Sequence, residues 1–312
     1  MKKITMKDIA KEADVSTATV SYILNNVGNQ SISPETKSKV LKAAEKLKYV
    51  RNLNARSLKR GKSDLIGIML PRSPEEPYWS TLRYANGVFL LGERLNRHGY
   101  QIVVASFDHE EPKLDVILER ELDGVFVWNT SPSAFYQISN RYGMGVPVMG
   151  IDSRLDDELF SKMIPDFKAA FAEAASMAGQ EADYAIVDVY NDPGVIAYVK
   201  EASGVSESNF HVYSGEAELK SFLIGREQDV GFVANEFLCA AALRTVGPGQ
   251  LVALCTSDCP ELLPDNVKKV VFDSEVYGVI AEKMANMIGN GEASDPAGFI
   301  FKEPLLLSER KR

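Results

Sequence analysis

Residues 6–25, MKDIAKEADVSTATVSYILN, have the spacing of two short helices joined by a tight turn at Asp14-Val15. Thr5, followed three residues later by Asp8, predicts the capping box that begins the first helix. Ser16 predicts the cap of a second helix over residues 17–24. In that helix the buried residues would be Val20, Ile23 and Leu24, and the exposed ones Thr17, Ala18, Ser21 and Tyr22. Small polar residues at the start of the second helix are typical of a helix-turn-helix, whose second helix enters the major groove of DNA.

A third helix is predicted to begin at Ser33-Pro34, a capping residue followed by proline at the first helical position. It would run to about residue 47. Its inward-facing residues would be Val40, Leu41, Ala44 and Leu47. The three helices together would enclose a small apolar core, so residues 1–50 are predicted to form a helical domain.

The charge of the chain is divided between its first sixty residues and the rest. Residues 1–62 contain 14 Lys and Arg against 5 Asp and Glu, whereas the whole chain of 312 residues has a net charge of −8. The remaining residues therefore carry 21 basic against 38 acidic side chains. A basic helical segment followed by an acidic body suggests a nucleic-acid-binding module attached to a part that does not bind nucleic acid.

Several motifs then recur in order: residues 6–25, ISPETKSKVLKAAEKLKYVRNLNARSLKRGKS at 32–63, and LIGIMLP at 65–71. This series resembles the beginning of a transcription regulator of the LacI (lactose repressor) family. The resemblance implies a bacterial repressor whose homodimer binds a pseudo-palindromic double-stranded DNA operator. It divides the chain into a DNA-binding domain (1–50), a hinge (51–62) and a core for effector binding and dimerisation (63–312).

The hinge is too short to form a stable helix in water by itself. In the family this stretch becomes helical on operator DNA, pairs with its twin and inserts a leucine into the minor groove, and Leu58 holds that position here. An apolar wedge of this kind bends the duplex, while Arg56, Lys59 and Arg60 would neutralise phosphates. The alternative is an ordinary charged linker, which predicts no requirement for the leucine.

The residues expected to contact DNA follow from this resemblance. They are Thr5, Ser16, Thr17, Ala18, Thr19, Ser21, Tyr22 and Asn25 in the helical domain, and Asn54, Arg56, Ser57, Leu58 and Lys59 in the hinge. Tyr22 departs from the family, which often has arginine or histidine at that position. Because tyrosine cannot make the paired hydrogen bonds by which arginine recognises guanine, the operator half-site is not transferable from other members.

After residue 63, β-rich runs such as LIGIML, YAIVDV and KKVVF alternate with amphipathic helical stretches. This alternation predicts parallel sheets with helices on both faces. The family resemblance implies a periplasmic-binding-protein-like body, so the expected fold is an all-α head and two Rossmann-like α/β subdomains. We expect three crossings, near 165–166, near 273–274 and within 301–304. The N-subdomain would comprise about 63–165 and 274–301, and the C-subdomain about 166–273 and 302–312.

Ligands of open α/β sheets bind beyond the carboxyl ends of the strands. The polar groups expected there are Arg72, Ser73, Asp152, Arg154, Asn235, Ser257 and Asp258, with Tyr78 and Trp79 as aromatic partners. Asp152 and Asn235 match family positions that hold ligand hydroxyls, although each could instead cap a helix. An aromatic face suits the C–H groups of a sugar, which favours Trp79 in that role, with packing in the core as the alternative.

Two departures weaken a direct transfer of the family's site. The segment NDPGVIAYVKEASG at 191–204 lacks the arginine that the family commonly carries, and CTSDC at 255–259 replaces its usual aspartate motif. Arg72 or Arg154 could supply a replacement guanidinium, which would suit an anionic ligand such as a sugar phosphate, or both could be surface residues. The effector is therefore expected to be a sugar, a sugar phosphate or a similar small molecule.

Other functional classes are disfavoured. Three histidines and no nucleophile motif argue against an enzyme, and Cys255-x3-Cys259 without a nearby histidine argues against a metal or other cofactor. The sequence contains no run of about 18 apolar residues that would predict a membrane span. No apolar core of a signal peptide follows Met1. We expect a bacterial, cytoplasmic, nucleoid-associated homodimer. Two alternatives for its control remain, a partner protein or a degenerate effector site that binds nothing.

Overall fold

The computed structural model describes residues 4–24, 32–47, 62–72, 76–108, 121–142, 145–290 and 298–305. The chain forms two compact units, residues Met1–Gly61 and Lys62–Arg312. The first unit, called the head below, is helical. The second, called the body, is built from two parallel sheets and their helices.

The head contains helices α1 (Met6–Ala13), α2 (Thr17–Leu24) and α3 (Pro34–Lys46). Their apolar faces enclose a core of Ile9, Ala10, Ala13, Val20, Ile23, Leu24, Val40 and Ala43. One predicted core residue is wrong: Leu41 is 46% exposed, and Ala43 is buried instead. Since successive helical residues turn by about 100°, the inward stripe that starts at Val40 continues at Ala43 rather than at Leu41.

The predicted starts of the three helices are confirmed by short-range hydrogen bonds. The Thr5 backbone N–H donates to the Asp8 carboxylate at 2.8 Å. The hydroxyl of Ser16 accepts from the Thr19 N–H at 3.0 Å, and that of Ser33 accepts from the Thr36 N–H at 3.2 Å. Each cap therefore satisfies backbone donors that the first turn of a helix leaves without partners.

The first sheet of the body has the strand order β11-β5-β4-β3-β1-β2 and all its pairs are parallel. Its strands are β1 (Leu65–Arg72), β2 (Gln101–Asp108), β3 (Gly124–Trp128), β4 (Val148–Ile151), β5 (Ser161–Pro165) and β11 (Phe299–Lys302). The associated helices are α4 (Trp79–Arg97), α5 (Pro132–Ser139) and α10 (Val276–Asn290). We call this sheet and its helices the N lobe.

The second sheet has the order β12-β10-β9-β8-β6-β7, parallel except for the antiparallel β10–β12 pair. Its strands are β6 (Tyr184–Val187), β7 (Phe210–Val212), β8 (Gly231–Ala234), β9 (Leu251–Leu254), β10 (Lys268–Phe272) and β12 (Pro304–Leu305). The helices are α6 (Phe167–Ala178), α7 (Pro193–Ser203), α8 (Glu216–Leu223) and α9 (Glu236–Ala242). This sheet and its helices form the C lobe.

The chain passes between the lobes at three places. β5 ends at Pro165 before α6 begins, β10 ends at Phe272 before α10 begins, and β11 ends at Lys302 directly before β12. The inner strands of the two sheets are largely buried, as expected for parallel sheets covered on both faces. The edge strands β2, β7, β11 and β12 are partly exposed. The predicted fold class, a helix-turn-helix head and an α/β body of two Rossmann-like subdomains, is confirmed.

Candidate functional site

The exposed face of α2 is the candidate DNA-reading surface of the head. Thr17, Ala18 and Tyr22 are exposed on it, whereas Val20 and Ile23 are buried beneath it. This is the arrangement predicted from the sequence for these residues, and it follows from the 3.6-residue period of the helix. Ser21, which was also predicted to be exposed, is partly buried because it lies next to Val20 at the border of the buried face. The surface therefore offers two small side chains and one aromatic ring to a partner.

Other predicted DNA-contacting residues take part in the local structure of the head. The Ser16 hydroxyl, besides capping α2, lies 2.9 Å from the Thr19 hydroxyl, and the Thr5 hydroxyl donates to Asp8 at 2.7 Å. Ser21 is partly buried. The remaining predicted contacts lie outside the described residues: Asn25, Asn54, Arg56, Ser57, Leu58 and Lys59.

In the body, the two lobes meet along a line of side chains that hydrogen-bond from one lobe to the other, which we call the seam. Its N-lobe residues are Glu76, Trp79, Arg83, Asn86, Asn129, Arg154 and Lys302, and its C-lobe residues are Asp188, Asn191, Asp192, Ser257 and Asp258. Most follow the carboxyl ends of strands or lie in the first turns of α4. The seam therefore occupies the place where ligands bind in open α/β sheets.

Asp188, the residue after β6, is the most heavily bonded group of the seam and is fully buried. Its carboxylate accepts from the Trp79 indole N–H at 3.2 Å, from Arg83 Nη1 at 3.3 Å, from Asn235 Nδ2 at 2.9 Å and from the Val189 N–H at 2.9 Å. Burial raises the pKa of Asp188, and the Arg83 charge and the Val189 and Trp79 N–H groups oppose this rise. These donors stabilise the ionised carboxylate.

Arg83 brings the partner charge from the N lobe. Its side chain is 4% exposed, and Nη2 donates to the Tyr84 hydroxyl at 3.4 Å. Its Cζ atom lies 5.2 Å from the ring centroid of Tyr84 and 5.2 Å from that of Tyr190. Burial alone would lower the pKa of Arg83, but the neighbouring Tyr84 and Asp188 raise it well above the ordinary value. The guanidinium thus stays charged between two aromatic rings and one carboxylate.

Asn235, which follows β8, uses its whole amide group inside the protein. Its Oδ1 accepts from the Phe237 and Leu238 N–H groups at 2.8 and 3.3 Å and so caps α9. Its Nδ2 donates to Asp188 at 2.9 Å and to the Ser257 hydroxyl at 3.2 Å. A side-chain amide has two donors and two acceptor positions, and all four are occupied here. The structure thus shows the helix-capping alternative for Asn235, and Ser257 is its immediate neighbour.

A second cluster of the seam surrounds Glu76. The Tyr84 hydroxyl donates to Glu76 Oε1 at 2.9 Å, and Asn191 Nδ2 of the C lobe donates to the same atom at 3.1 Å. Asn191 also donates through its backbone N–H to Asn129 Oδ1 at 3.0 Å. Burial raises the pKa of Glu76, whereas the hydrogen bond from Tyr84 and the charge of Arg83 partly offset that rise. This cluster joins the loops after β3 and β6.

Asp152 and Asp258, both predicted site residues, have separate partners. Asp152 follows β4, is 8% exposed and accepts from the Trp128 indole N–H at 2.8 Å. Asp258 accepts from Lys302 Nζ at 2.5 Å, and both side chains are buried. Burial would lower the pKa of Lys302, but Asp258 and Tyr277 raise it above the ordinary value. The Lys302–Asp258 pair therefore ties the last residue of β11 to the loop after β9.

Three predicted site residues lie at the surface. Arg72 is exposed, Tyr78 is 81% exposed, and the exposed Arg154 places its Cζ atom 4.5 Å from the Tyr198 ring centroid. Arg154 joins the seam only through its backbone N–H, which donates to Asp192 at 2.6 Å. Ser73 lies outside the described residues. The buried guanidinium of the seam belongs to Arg83, whereas Arg72 and Arg154 have the surface positions that the sequence left as the alternative.

Trp79 lies against the C lobe rather than in its own lobe's core. Its ring centroid is 4.9 Å from that of Tyr213 and 6.4 Å from that of Phe237, with which it stacks nearly parallel. Five residues of the seam were not predicted from the sequence: Arg83, Asp188, Glu76, Asn129 and Lys302. A signal existed for Asp188, which follows the apolar run 184–187 as the other predicted strand-end residues follow theirs. Arg83 lies four residues after Trp79 and thus on the same face of α4.

The described part of the chain was searched for metal-binding groups and for membrane-spanning helices. Within it, we find no group of three or more His, Cys, Asp or Glu side chains that could hold a metal ion. None of the helices described is both long enough and apolar enough to span a membrane.

The chain is similar to known bacterial regulators in part of its sequence. Residues 5–52 match the family described as bacterial regulatory proteins, lacI family. The chain is 32% identical over 185 residues to the fructose operon regulatory protein of Vibrio cholerae, covering 57% of this chain and 55% of that protein. It is 34% identical over 156 residues to the ribose operon repressor of Bacillus subtilis, covering 49% and 44%. The chain thus spans about half the length of the curated relatives it matches.

Solved structures share the fold over almost the whole chain. A Lac repressor dimer bound to operator and the anti-inducer ONPF has a TM-score of 0.74 at 16% identity, covering 97% of both chains. A complex of the transcriptional regulator CelR with cellobiose has a TM-score of 0.60 at 20% identity, covering 98% of both. A helix-turn-helix head and a two-lobed α/β body define a class of bacterial regulators. Residues 5–52 of this chain match the LacI family of that class, and the chain as a whole shares the fold of the Lac repressor structure.

Proposed function

We propose that the protein is a sequence-specific DNA-binding transcriptional repressor that acts as a homodimer on a pseudo-palindromic operator. The observation that carries this proposal is α2, which exposes Thr17, Ala18 and Tyr22 on one face and is capped by Ser16. A helix with exposed small side chains at its start suits insertion into the major groove. Such a repressor would act at the nucleoid, in the bacterial cytoplasm.

The operator can be found by selection from random double-stranded DNA, and the proposal is then tested with variants. Tyr22→Ala should weaken binding to the selected site by about 1–3 kcal/mol and leave non-specific binding almost unchanged. The exposed Leu41 of α3 gives a matched control, because Leu41→Ala removes a large side chain from another surface. Equal losses for the two variants, or equal losses on specific and random DNA, would contradict the role of α2.

The hinge is tested separately, because Leu58 and Lys59 lie outside the described residues. Leu58→Ala should weaken binding to the selected operator much more than to random DNA, since an apolar wedge acts only in a bent complex. Lys59→Ala should instead weaken binding to all sequences and reduce the salt slope by about one unit. An equal effect of Leu58→Ala on both DNAs would identify residues 51–62 as an ordinary linker.

The homodimer is supported by an exposed apolar row on α4. Leu82 is 42% exposed and Phe89 is 70% exposed, and together with Ala85 they follow the i, i+3, i+7 spacing of one helix face. Phe89→Asp should produce monomers at micromolar concentration in analytical ultracentrifugation. Ile224→Asp is the control, since Ile224 is 65% exposed in the C lobe. A wild-type monomer would overturn the proposal.

A small hydroxylated molecule bound at the seam is the proposed effector. The hydroxyls of Ser80, Thr130 and Thr256 are buried without a hydrogen-bond partner among the described residues. They lie in the first turn of α4 and after β3 and β9, at the ligand-binding edges of the two sheets. Buried polar groups are nearly always hydrogen-bonded, so these hydroxyls support a ligand with donors and acceptors of its own.

The effector is tested by a thermal-shift screen of sugars, sugar phosphates and other polyols, followed by operator titration with the compounds that bind. Thr130→Val and Thr256→Val keep the shape of the side chain and should weaken the response. Ser161→Ala, which removes a buried hydroxyl within β5, is the control. The second candidate, a body controlled without a small molecule, is favoured by the bonds that the protein's own side chains make across the seam. If no compound shifts the melting temperature, this second candidate is favoured over a small-molecule effector.

A further inference from the structure

The surroundings of Asp188 suit a guanidinium ion. Its carboxylate is fully buried in the C lobe, and Tyr190, two residues later in the sequence, provides an aromatic ring from the same lobe. Tyr84 provides a second ring from the N lobe, and the Cζ atom of Arg83 lies 5.2 Å from the centroid of each ring. A carboxylate and two aromatic faces around one guanidinium form an arrangement that binds organic cations, and guanidinium in particular.

The cation in this site is supplied by the opposite lobe. Arg83 extends from α4 and donates to Asp188 at 3.3 Å across the seam, although the two residues are 105 positions apart in the sequence. Trp79, one turn earlier on α4, donates to the same carboxylate and stacks on Phe237 of the C lobe. Both side chains of one helix face thus hold a single acidic group of the other lobe.

We propose that Arg83 is a built-in ligand, whose guanidinium fills a cation site of the C lobe and holds the two lobes closed. A tethered group has a high effective concentration at its site, so closure needs no added molecule. The class of compound able to compete with Arg83 is a small organic cation with planar N–H donors. The closure itself rests on the contacts described, whereas its effect on operator binding rests on the function proposed above.

Trp79 provides a direct measurement of closure. The chain contains two tryptophans. Trp79 lies at the seam, whereas Trp128 is buried in the N-lobe core and donates to Asp152. In the full-length protein labelled with 5-fluorotryptophan, the two residues give separate ¹⁹F signals, which Trp79→Phe assigns. On opening, the Trp79 signal should move and acquire a larger solvent isotope shift, while the Trp128 signal should stay in place.

Arg83→Ala should open the lobes, and guanidinium chloride at millimolar concentration, far below denaturing levels, should restore the closed Trp79 signal. Sodium chloride at the same concentration should not restore it. Asp188→Asn should also open the lobes, but guanidinium should not rescue that variant because the anion is gone. The Asp188→Asn variant keeps the size of the side chain, so it tests the site even if Arg83→Ala fails to fold.

Arg226→Ala is the matched control. The Arg226 Cζ atom lies 5.5 Å from the Tyr184 centroid and 4.6 Å from that of Phe222, and Nη1 lies 3.6 Å from Asp229. This arginine therefore has two rings and one carboxylate as partners, all within the C lobe. Arg226→Ala should leave the Trp79 signal unchanged. If it exposes Trp79 as much as Arg83→Ala does, the effect is a general loss of stability and the proposal is wrong.

Two other results would overturn the built-in ligand. The first is a closed Trp79 signal in Arg83→Ala or in Asp188→Asn. The second is an opened Arg83→Ala variant that guanidinium does not close. Operator titration of the same variants separates the two proposals. If guanidinium closes Arg83→Ala but operator affinity does not follow, the cation site stands and the proposed coupling to DNA is contradicted.

Discussion

The polar residues of α2 in the head and those of the seam in the body lie in opposite environments. On α2, Thr17 and Tyr22 are exposed, and the folding of the head depends on the buried residues on the other face of the helix. At the seam, Asp188 and its C-lobe neighbour Asn235 are fully buried, and each is bonded to several groups of the protein. A surface of the first kind is available to a partner without any change in the protein. A site of the second kind must give up internal hydrogen bonds before it binds anything else.

The largest effect is expected from breaking the buried ion pair of the seam. Arg83→Ala leaves Asp188 as a buried charge without its countercharge, which should lower the free energy of unfolding by about 3–5 kcal/mol. Urea denaturation of the body, followed by far-UV circular dichroism, measures this loss. The double variant Arg83→Met/Asp188→Leu should lose much less, because it removes both charges together. If Arg83→Ala is no less stable than the double variant, the unpaired charge of Asp188 is not the cause of the loss of stability.

Asn235 should have a smaller but still substantial effect. Asn235→Ala removes the cap of α9 and a donor to Asp188, so we expect a loss of about 1–3 kcal/mol in the free energy of unfolding. Asn235→Asp keeps a capping oxygen but puts a second carboxylate beside Asp188. Because like charges raise a carboxyl pKa, the stability of Asn235→Asp relative to the wild type should recover as the pH falls and these groups bind protons. A pH-independent difference between these two proteins would contradict the placement of Asn235 beside an ionised Asp188.

In the head, a single helix cap should contribute less than the Arg83–Asp188 pair or Asn235. Ser33→Ala removes the oxygen that accepts from the Thr36 N–H, which should cost about 1 kcal/mol. Because head and body form separate compact units, the loss should appear in the melting of the head and leave that of the body unchanged. Ser38→Ala, at an exposed position within α3, is the control and should have little effect. A shift in the body's transition would show that the two units do not unfold independently.

The same difference explains what could be predicted from the sequence. The helix caps at Thr5, Ser16 and Ser33 were predictable because each has its partner three residues away. The strand-end position of Asp152 was also predictable, since a polar residue follows an apolar run. The ion pair of Arg83 and Asp188 was not, because it depends on how α4 of one lobe meets β6 of the other. The second role of Asn235, as a donor to Asp188, was hidden for the same reason.

The smallest effect on folding should come from the hydroxyl of Tyr22. Tyr22 is 38% exposed, so Tyr22→Phe should change the free energy of unfolding by less than about 0.5 kcal/mol. On DNA the two proteins should differ, because the phenol can hydrogen-bond to a base edge or a phosphate and phenylalanine cannot. Parallel selections of operator sequences with the two proteins distinguish these targets. A change in the preferred bases at one position would indicate a base contact, whereas uniformly weaker binding would indicate a phosphate contact. If Tyr22→Phe destabilises the head and leaves DNA binding unchanged, Tyr22 is a structural residue, and the contrast between α2 and the seam does not hold at that position.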